Sequence, residues 1–298
     1  MDTKTDIIAA NYCISFVDLL GQRDEYKGEG FLPIFKNNKD RERFFKKIKK
    51  TIKPIYNLQK DASNMMKSAF KHEDFLRGKL PLTLQEAREK MSEVKLKQQR
   101  WSDGLVFFVS LQAGDVKCPI GGIFYLFGFV GTLFFLGLCK KRPLRGSIDI
   151  AWGVELNPGE IYGAAVATAY ELESEIAQYP RIVIGERTVE YLTVEMNSPA
   201  SGVYNRFNSV LAKLCLDMID IDFDGNYILD YLGKGFKESI TKQIHDKLFH
   251  RAFKFVTEQL ALWKKKKDTK LSMRYSHLFS YFQAYQKRME KEKIQPGT

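Results

Sequence analysis

The stretch NYCISFVDL (Asn11–Leu19) is dense in aromatic and β-branched residues and ends on an aspartate, with Gly21 as the breaker behind it. That composition predicts a buried strand. A second apolar run, LVFFVSL (Leu105–Leu111), follows Ser102-Asp103-Gly104, a turn signature that makes Arg100-Trp101 and Leu105–Leu111 the arms of a hairpin. Lys39–Phe70 has Phe44, Ile48, Ile52 and Ile55 on one helical face, with Pro54 as a point of kinking. Thr83–Gln98 reads as a second, exposed helix, with Thr83 and Glu86 as a capping box. Beyond the hairpin, Leu144–Gly153 reads as a strand, Gly163–Glu175 as a helix, Arg181–Ile184 as a short strand, and Glu186–Leu192 as a helix start. Leu216–Leu232 reads as a hairpin turning at Asp224-Gly225-Asn226, and from Lys237 onward the pattern is helical. The order β-α-ββ-α-β-α-β predicts an α+β sheet domain with helices packed on it and a helical tail.

The chain has 298 residues, 44% of them hydrophobic and 28% charged, which is globular composition. The net charge of +11 invites a nucleic-acid or membrane-surface reading, but it is uneven. Lys and Arg outnumber Asp and Glu by 22 to 14 in residues 1–100, fall to 7 against 11 in 101–200, and recover to 18 against 11 in 201–298. The middle of the chain is acidic, and no specific nucleic-acid binding is expected. The cysteines (Cys13, Cys118, Cys139, Cys215) are far apart, which excludes a disulfide framework or a zinc knuckle. The start, MDTKTD, lacks the basic and apolar regions of a signal peptide, so a cytoplasmic protein is expected. The uncharged run Pro119–Leu138, followed by Lys140, Lys141 and Arg142, has the length of a membrane span. It is expected instead to be a buried helix on the sheet, because residues on both sides of it belong to one site. No stable membrane insertion is expected.

Asp18, at a strand end, and Asp103, at a hairpin tip, are the candidates for chemistry. Two carboxylates brought together by adjacent strand ends repel unless a divalent cation joins them. Hard oxygen ligands of this kind take Mg²⁺ or Mn²⁺ and substrate phosphates. The same residues also serve as plain turn chemistry, and spacing alone does not choose.

Five stretches, in order, resemble the class III nucleotidyl cyclases. FVDLLG (Phe16–Gly21) is similar to that family's first metal motif, and WSDGLVFF (Trp101–Phe108) to its second. PLRGSIDIAWG (Pro143–Gly153) resembles the following core strand, GEIYGAAVATAYELE (Gly159–Glu173) the next helix, and PRIVIGERTVEYL the closing strand and helix. The resemblance implies a ferredoxin-like catalytic domain over residues 1–235, with a helical insertion at 39–98 and a helical extension at 236–298. It implies Asp18 and Asp103 as ligands of two divalent cations, Mn²⁺ or Mg²⁺. Backbone amides of Leu19, Leu20, Gly21 and Gln22 would cradle a triphosphate, and Arg145 would contact phosphate as the catalytic cation. It also implies a homodimer with shared active sites.

The departures narrow the resemblance. The family's transition-state Asn and Arg fall at Ala167 and Glu171, neither of which can donate to a pentavalent phosphate. The base-selecting positions fall at Gln99 and Glu160, which is neither the adenylate nor the usual guanylate pattern. With the Q-x-x-S-D hairpin, the R-G-x-I strand and the aliphatic G-A-A-V-A helix, the chain is most similar to the pyrimidine cyclases of bacterial Pycsar anti-phage systems. That implies conversion of UTP to cyclic UMP, or of CTP to cyclic CMP, as a second messenger read by a separate effector. A nucleotide-binding homologue that has lost catalysis is the alternative.

Three other patterns are set aside. Asp220, Asp222, Asp224 and Gly225 begin like an EF-hand loop, but Tyr231 stands at its twelfth position, so a hairpin turn is expected. GKGFKES (Gly233–Ser239) lacks Walker spacing, and His245 and His250 do not share a helix face. Lys264–Lys267, beside Phe and Trp, is expected to be the solvated end of an amphipathic helix.

Overall fold

The computed structural model describes residues 9–20, 34–69, 84, 95–102, 104–112, 118–199, 201–240 and 242–294. Gly21, Gln22, Thr83, Glu86 and Asp103 lie outside the described residues. The first strand, β1 (Ala9–Leu19), is followed by α1 (Asn38–Ala69), β2 (Lys97–Trp101), β3 (Gly104–Ser110), α2 (Pro119–Cys139) and β4 (Leu144–Asn157). β3 pairs antiparallel with both β1 and β2, and β4 pairs antiparallel with β1. The resulting order β2-β3-β1-β4 is the ferredoxin-like split βαβ arrangement.

A short β5 (Glu160–Tyr162) folds back on β4, and then α3 (Ala164–Glu171) widens into a π turn over Leu172–Ile176. β6 (Ile182–Ile184) joins parallel to β4, preceding α4 (Glu186–Asn197) and α5 (Val203–Leu216). The hairpin β7 (Ile219–Ile221) and β8 (Tyr227–Leu229) completes the far edge, and α6 (Lys234–Ser239), α7 (Lys242–Lys265) and α8 (Thr269–Ile294) follow. Among the described residues the sheet has eight strands. The hairpin expected around Asp224 is present at the β7–β8 turn. One expectation is corrected: Lys97 and Gln98 lie in β2, not at the end of a helix. Lys97 pairs with Phe108 and Gln98 with Phe107, so ladder hydrogen bonds to an apolar neighbour override the helix-forming composition. α5 had no counterpart in the sequence reading.

Alternation along the strands sorts side chains onto two faces. Cys13, Val17, Leu105, Phe107, Val109, Leu144 and Ile148 face α1 and α2 and join the main core. Tyr12, Ile14, Phe16, Val106 and Phe108 face the other way and are partly roofed by Ala165, Val166 and Ala169 of α3.

α2 is buried on nearly every side, as suits a helix that is apolar all round. Among the described residues it is the one helix long and apolar enough to cross a membrane, and 78% of its most apolar window is buried inside the protein. Its glycines permit this. A Cβ on Gly128 would come within 2.7 Å of Ile240, and one on Gly131 would overlap the Phe236 ring. α7 covers the outer side: the Cys139 thiol donates to the Leu248 carbonyl at 3.3 Å, and Phe249, Ala252 and Phe255 belong to the same core.

Candidate active site

Asp18 and Arg145 are direct cross-strand partners in the β1–β4 ladder, so both side chains stand on the α3 face. Arg145 Nη2 donates to Asp18 Oδ2 at 3.2 Å, and Nε approaches the same oxygen at 3.4 Å. Arg145 Nε also meets the carboxylate of Glu173. Glu173 is 1% exposed, whereas the side chains of Asp18 and Arg145 keep 20% and 15% of their surfaces. One guanidinium thus bridges a buried and a half-buried carboxylate at an open end of the sheet.

Glu173 was quoted in the sequence but given no role. Its signal lay in the helical period: Ala165, Ala169 and Glu173 are spaced by four and share the inward stripe, an acid where small residues precede it. The π turn carries it into the strand ends; such turns recur at functional sites.

The β2–β3 tip lies beside this pair. Val17 pairs with Leu105, and Gly104 is so close to β1 that a Cβ there would sit 3.3 Å from both Val17 O and the Phe16 ring. The tip's Asp103 is outside the described residues. Among the described residues no group of three His, Cys, Asp or Glu is placed to hold a metal. Asp18 nevertheless suits a hard divalent cation: its side chain keeps 20% of its surface at a strand end, and carboxylate oxygen is the donor such ions take.

Gln99 stands on the same face as Asp18, because its partner Val106 pairs in turn with Phe16. Two ladder spacings separate β2 from β1, about 10 Å. The Gln99 side-chain oxygen accepts the Ile161 N–H at 3.0 Å, which brings it beside Glu160. Glu160 itself accepts from Asn157 Nδ2 at 2.5 Å. Leu19 is buried in the core, and the Leu20 N–H donates to Pro143 O at 3.1 Å. Ala167 and Glu171 lie one turn apart on the exposed side of α3. Trp101 (49% exposed) and Tyr170 (47%) flank Phe16, with ring centroids at 5.8 and 5.4 Å, and form an aromatic rim that the sequence reading did not single out.

A second cluster is structural. Arg181 donates to Asp222 at 2.6 Å and to Asp224 at 2.6 and 2.9 Å, locking the β7–β8 turn that an EF-hand reading would have made a calcium loop. The Arg181 hydrogen bonds hold the Asp224 carboxyl down to about 2. His277 of α8 stacks on Phe223 at 4.0 Å, and Tyr281 donates to Asp230 at 2.6 Å, so α8 is fastened to the same hairpin.

No family profile matches the chain, and no curated protein matches it. Among solved structures it is similar to the adenylyl cyclase CyaB from P. aeruginosa, at 11% identity and a TM-score of 0.37, over 63% of this chain and 83% of that one. A likeness of that degree carries no argument about activity.

Proposed function

We propose that the chain is a nucleotide cyclase acting on a pyrimidine nucleoside triphosphate, UTP before CTP. The observation that carries the reading is the opposition of Asp18 and Arg145 on the open sheet end, beside the hairpin that bears Asp103. It supports a reading already given by five sequence stretches in family order. A nucleotide laid across this face would have its base near Gln99 and the Trp101 rim and its phosphates near Asp18 and Arg145.

The reaction is in-line attack of the ribose 3′-oxygen on the α-phosphorus. The bond to the bridging oxygen breaks, pyrophosphate leaves, and the 3′-hydroxyl proton passes to solvent. Two Mg²⁺ or Mn²⁺ ions held by Asp18 and Asp103 would supply the lowered hydroxyl pKa and neutralise phosphate charge. Arg145, fixed by Glu173, presents a guanidinium fork to phosphate oxygens once Asp18 no longer engages it. For the Leu20 N–H to reach a phosphate it must leave Pro143. Ala167 and Glu171 offer no donor, and their exposed position supports a homodimer in which each subunit completes its partner's site. The cyclic product would act as a messenger for a separate effector in anti-phage defence, in the cytoplasm.

The binding of Arg145 to two carboxylates also favours a second reading, a nucleotide-binding domain without turnover. Incubation with each of the four ribonucleoside triphosphates and Mn²⁺, with products resolved by mass, separates the two. A cyclic pyrimidine monophosphate supports the cyclase, and the identity of the base decides between UTP and CTP. Tight triphosphate binding with no cyclic product supports the second reading.

A further inference from the structure

α1 is longer than its packing needs. Its C-terminal half is held to the core by Leu58 and Ala62, and by Asp61, which accepts from Lys140 at 2.6 Å. Between residues 45 and 56 it keeps a second apolar stripe in solvent: Phe45 is 46% exposed, Ile52 49% and Tyr56 62%. At 100° per residue these three fall within about 20° of one line along the helix. That stripe lies beside the buried face, not on it. On its other side stand Lys46, Lys49, Lys50, Lys53 and Arg43, all exposed. None makes an ion pair with a described residue. Arg41, Lys46 and Lys49, with Glu42 as the one acid among them, also line a shallow groove of about 650 Å³. Ahead of the helix Ile34 is 89% exposed, and Phe35 packs with Phe44 and Phe45 into an aromatic cluster at the helix start.

A line of large apolar side chains bordered by exposed cations is the pattern of a helix lying in a membrane interface. We propose that the exposed face of α1 between residues 43 and 56 docks this protein on an anionic phospholipid surface, peripherally and without a span. Charge complementarity selects this occupant. A second copy of the helix would bring two rows of like charge together. Nucleic acid would satisfy the lysines and has bases to stack on Phe45 and Tyr56, but it offers the aliphatic Ile34 and Ile52 no hydrocarbon to enter. Anionic headgroups satisfy the lysines while the acyl boundary takes Phe45, Ile52 and Tyr56.

The test is co-sedimentation of the full chain with phosphatidylcholine vesicles, with and without about 30 mol % phosphatidylserine. Binding is expected only with phosphatidylserine, and it should weaken between about 0.1 M and about 0.5 M salt. Lys46→Glu/Lys49→Glu/Lys50→Glu should lower partitioning at least about tenfold. Phe45→Ser/Ile52→Ser should also lower it, and both variants alter only exposed positions, so circular dichroism should match the parent. Lys264→Glu/Lys265→Glu/Lys266→Glu, on the other basic run, should change nothing. No phosphatidylserine-dependent sedimentation, or equal sedimentation by all three variants, overturns the proposal. So does tighter binding of single-stranded RNA than of vesicles at equal salt, or a dimer that Phe45→Ser/Ile52→Ser dissociates.

Discussion

Arg145 is held by two carboxylates, and the consequences of removing it differ for each partner. Arg145→Ala removes from the buried Glu173 the guanidinium that meets it, and breaking a buried pair costs about 3–5 kcal/mol. Urea unfolding should register that loss, and Arg145→Ala/Glu173→Gln should recover most of it without recovering activity. A loss confined to activity in the single variant would contradict the bridging role. Asp224 supplies a pH prediction. Its carboxyl is lowered from 3.8 to about 2 by Arg181, so its stabilising contribution is full above the unfolded value and is lost as the pH falls from about 4 toward 2. The urea midpoint should drop more steeply over that range in the parent than in Asp224→Asn. The sequence marked Asp18 and Arg145 through short motifs, and the structure sets the two side by side in the β1–β4 ladder; Asp103 lies outside the described residues. Glu173 and the Trp101–Tyr170 rim were not marked, because a buried acid and an exposed ring acquire meaning only from what the fold sets beside them.

At the scale of elements, α2 carries the most specific packing. Gly131 lies against Phe236, and the Phe107–Phe129 rings meet at 4.8 Å on the sheet side. Gly131→Val should therefore overpack this contact and destabilise by about 1–3 kcal/mol, read as a lower thermal midpoint with native-like secondary structure. An unchanged midpoint would mean that the α2–α6 contact is looser than the structure has it. Composition identified α2 as uniformly apolar but could not say whether lipid or protein covers it. The answer lies in α5 and α7, more than 60 residues away in sequence. Lys97 and Gln98 failed in the sequence reading for a related reason: their strand state is imposed by β3. α5 escaped notice because no chemical motif marked it.

For the whole molecule, the helices after β8 are part of the core. Phe249, Phe255, Tyr275 and Phe282 join the same buried cluster as α2 and the sheet. Ending the chain at Ser239 should expose the outer side of α2, and the shortened protein should aggregate or need detergent where the full chain is expected not to. A soluble, cooperatively folding truncation would show that α7 and α8 are dispensable. The charge distribution also takes on meaning at this scale. The acidic middle holds Glu160 and Glu173, near the site proposed for cations and phosphates, while much of the basic excess lies on α1, which packs on the other face of the sheet.

The central claim is that Asp18 and its neighbours turn over a nucleotide. Its most direct test is mass analysis of the products formed from UTP with Mn²⁺ by the parent and by Asp18→Ala. Cyclic UMP and pyrophosphate are expected in equal amounts from the parent, with a loss on the order of 100-fold or more in the variant. Equal product from both, or none from the parent with any of the four triphosphates, would contradict it.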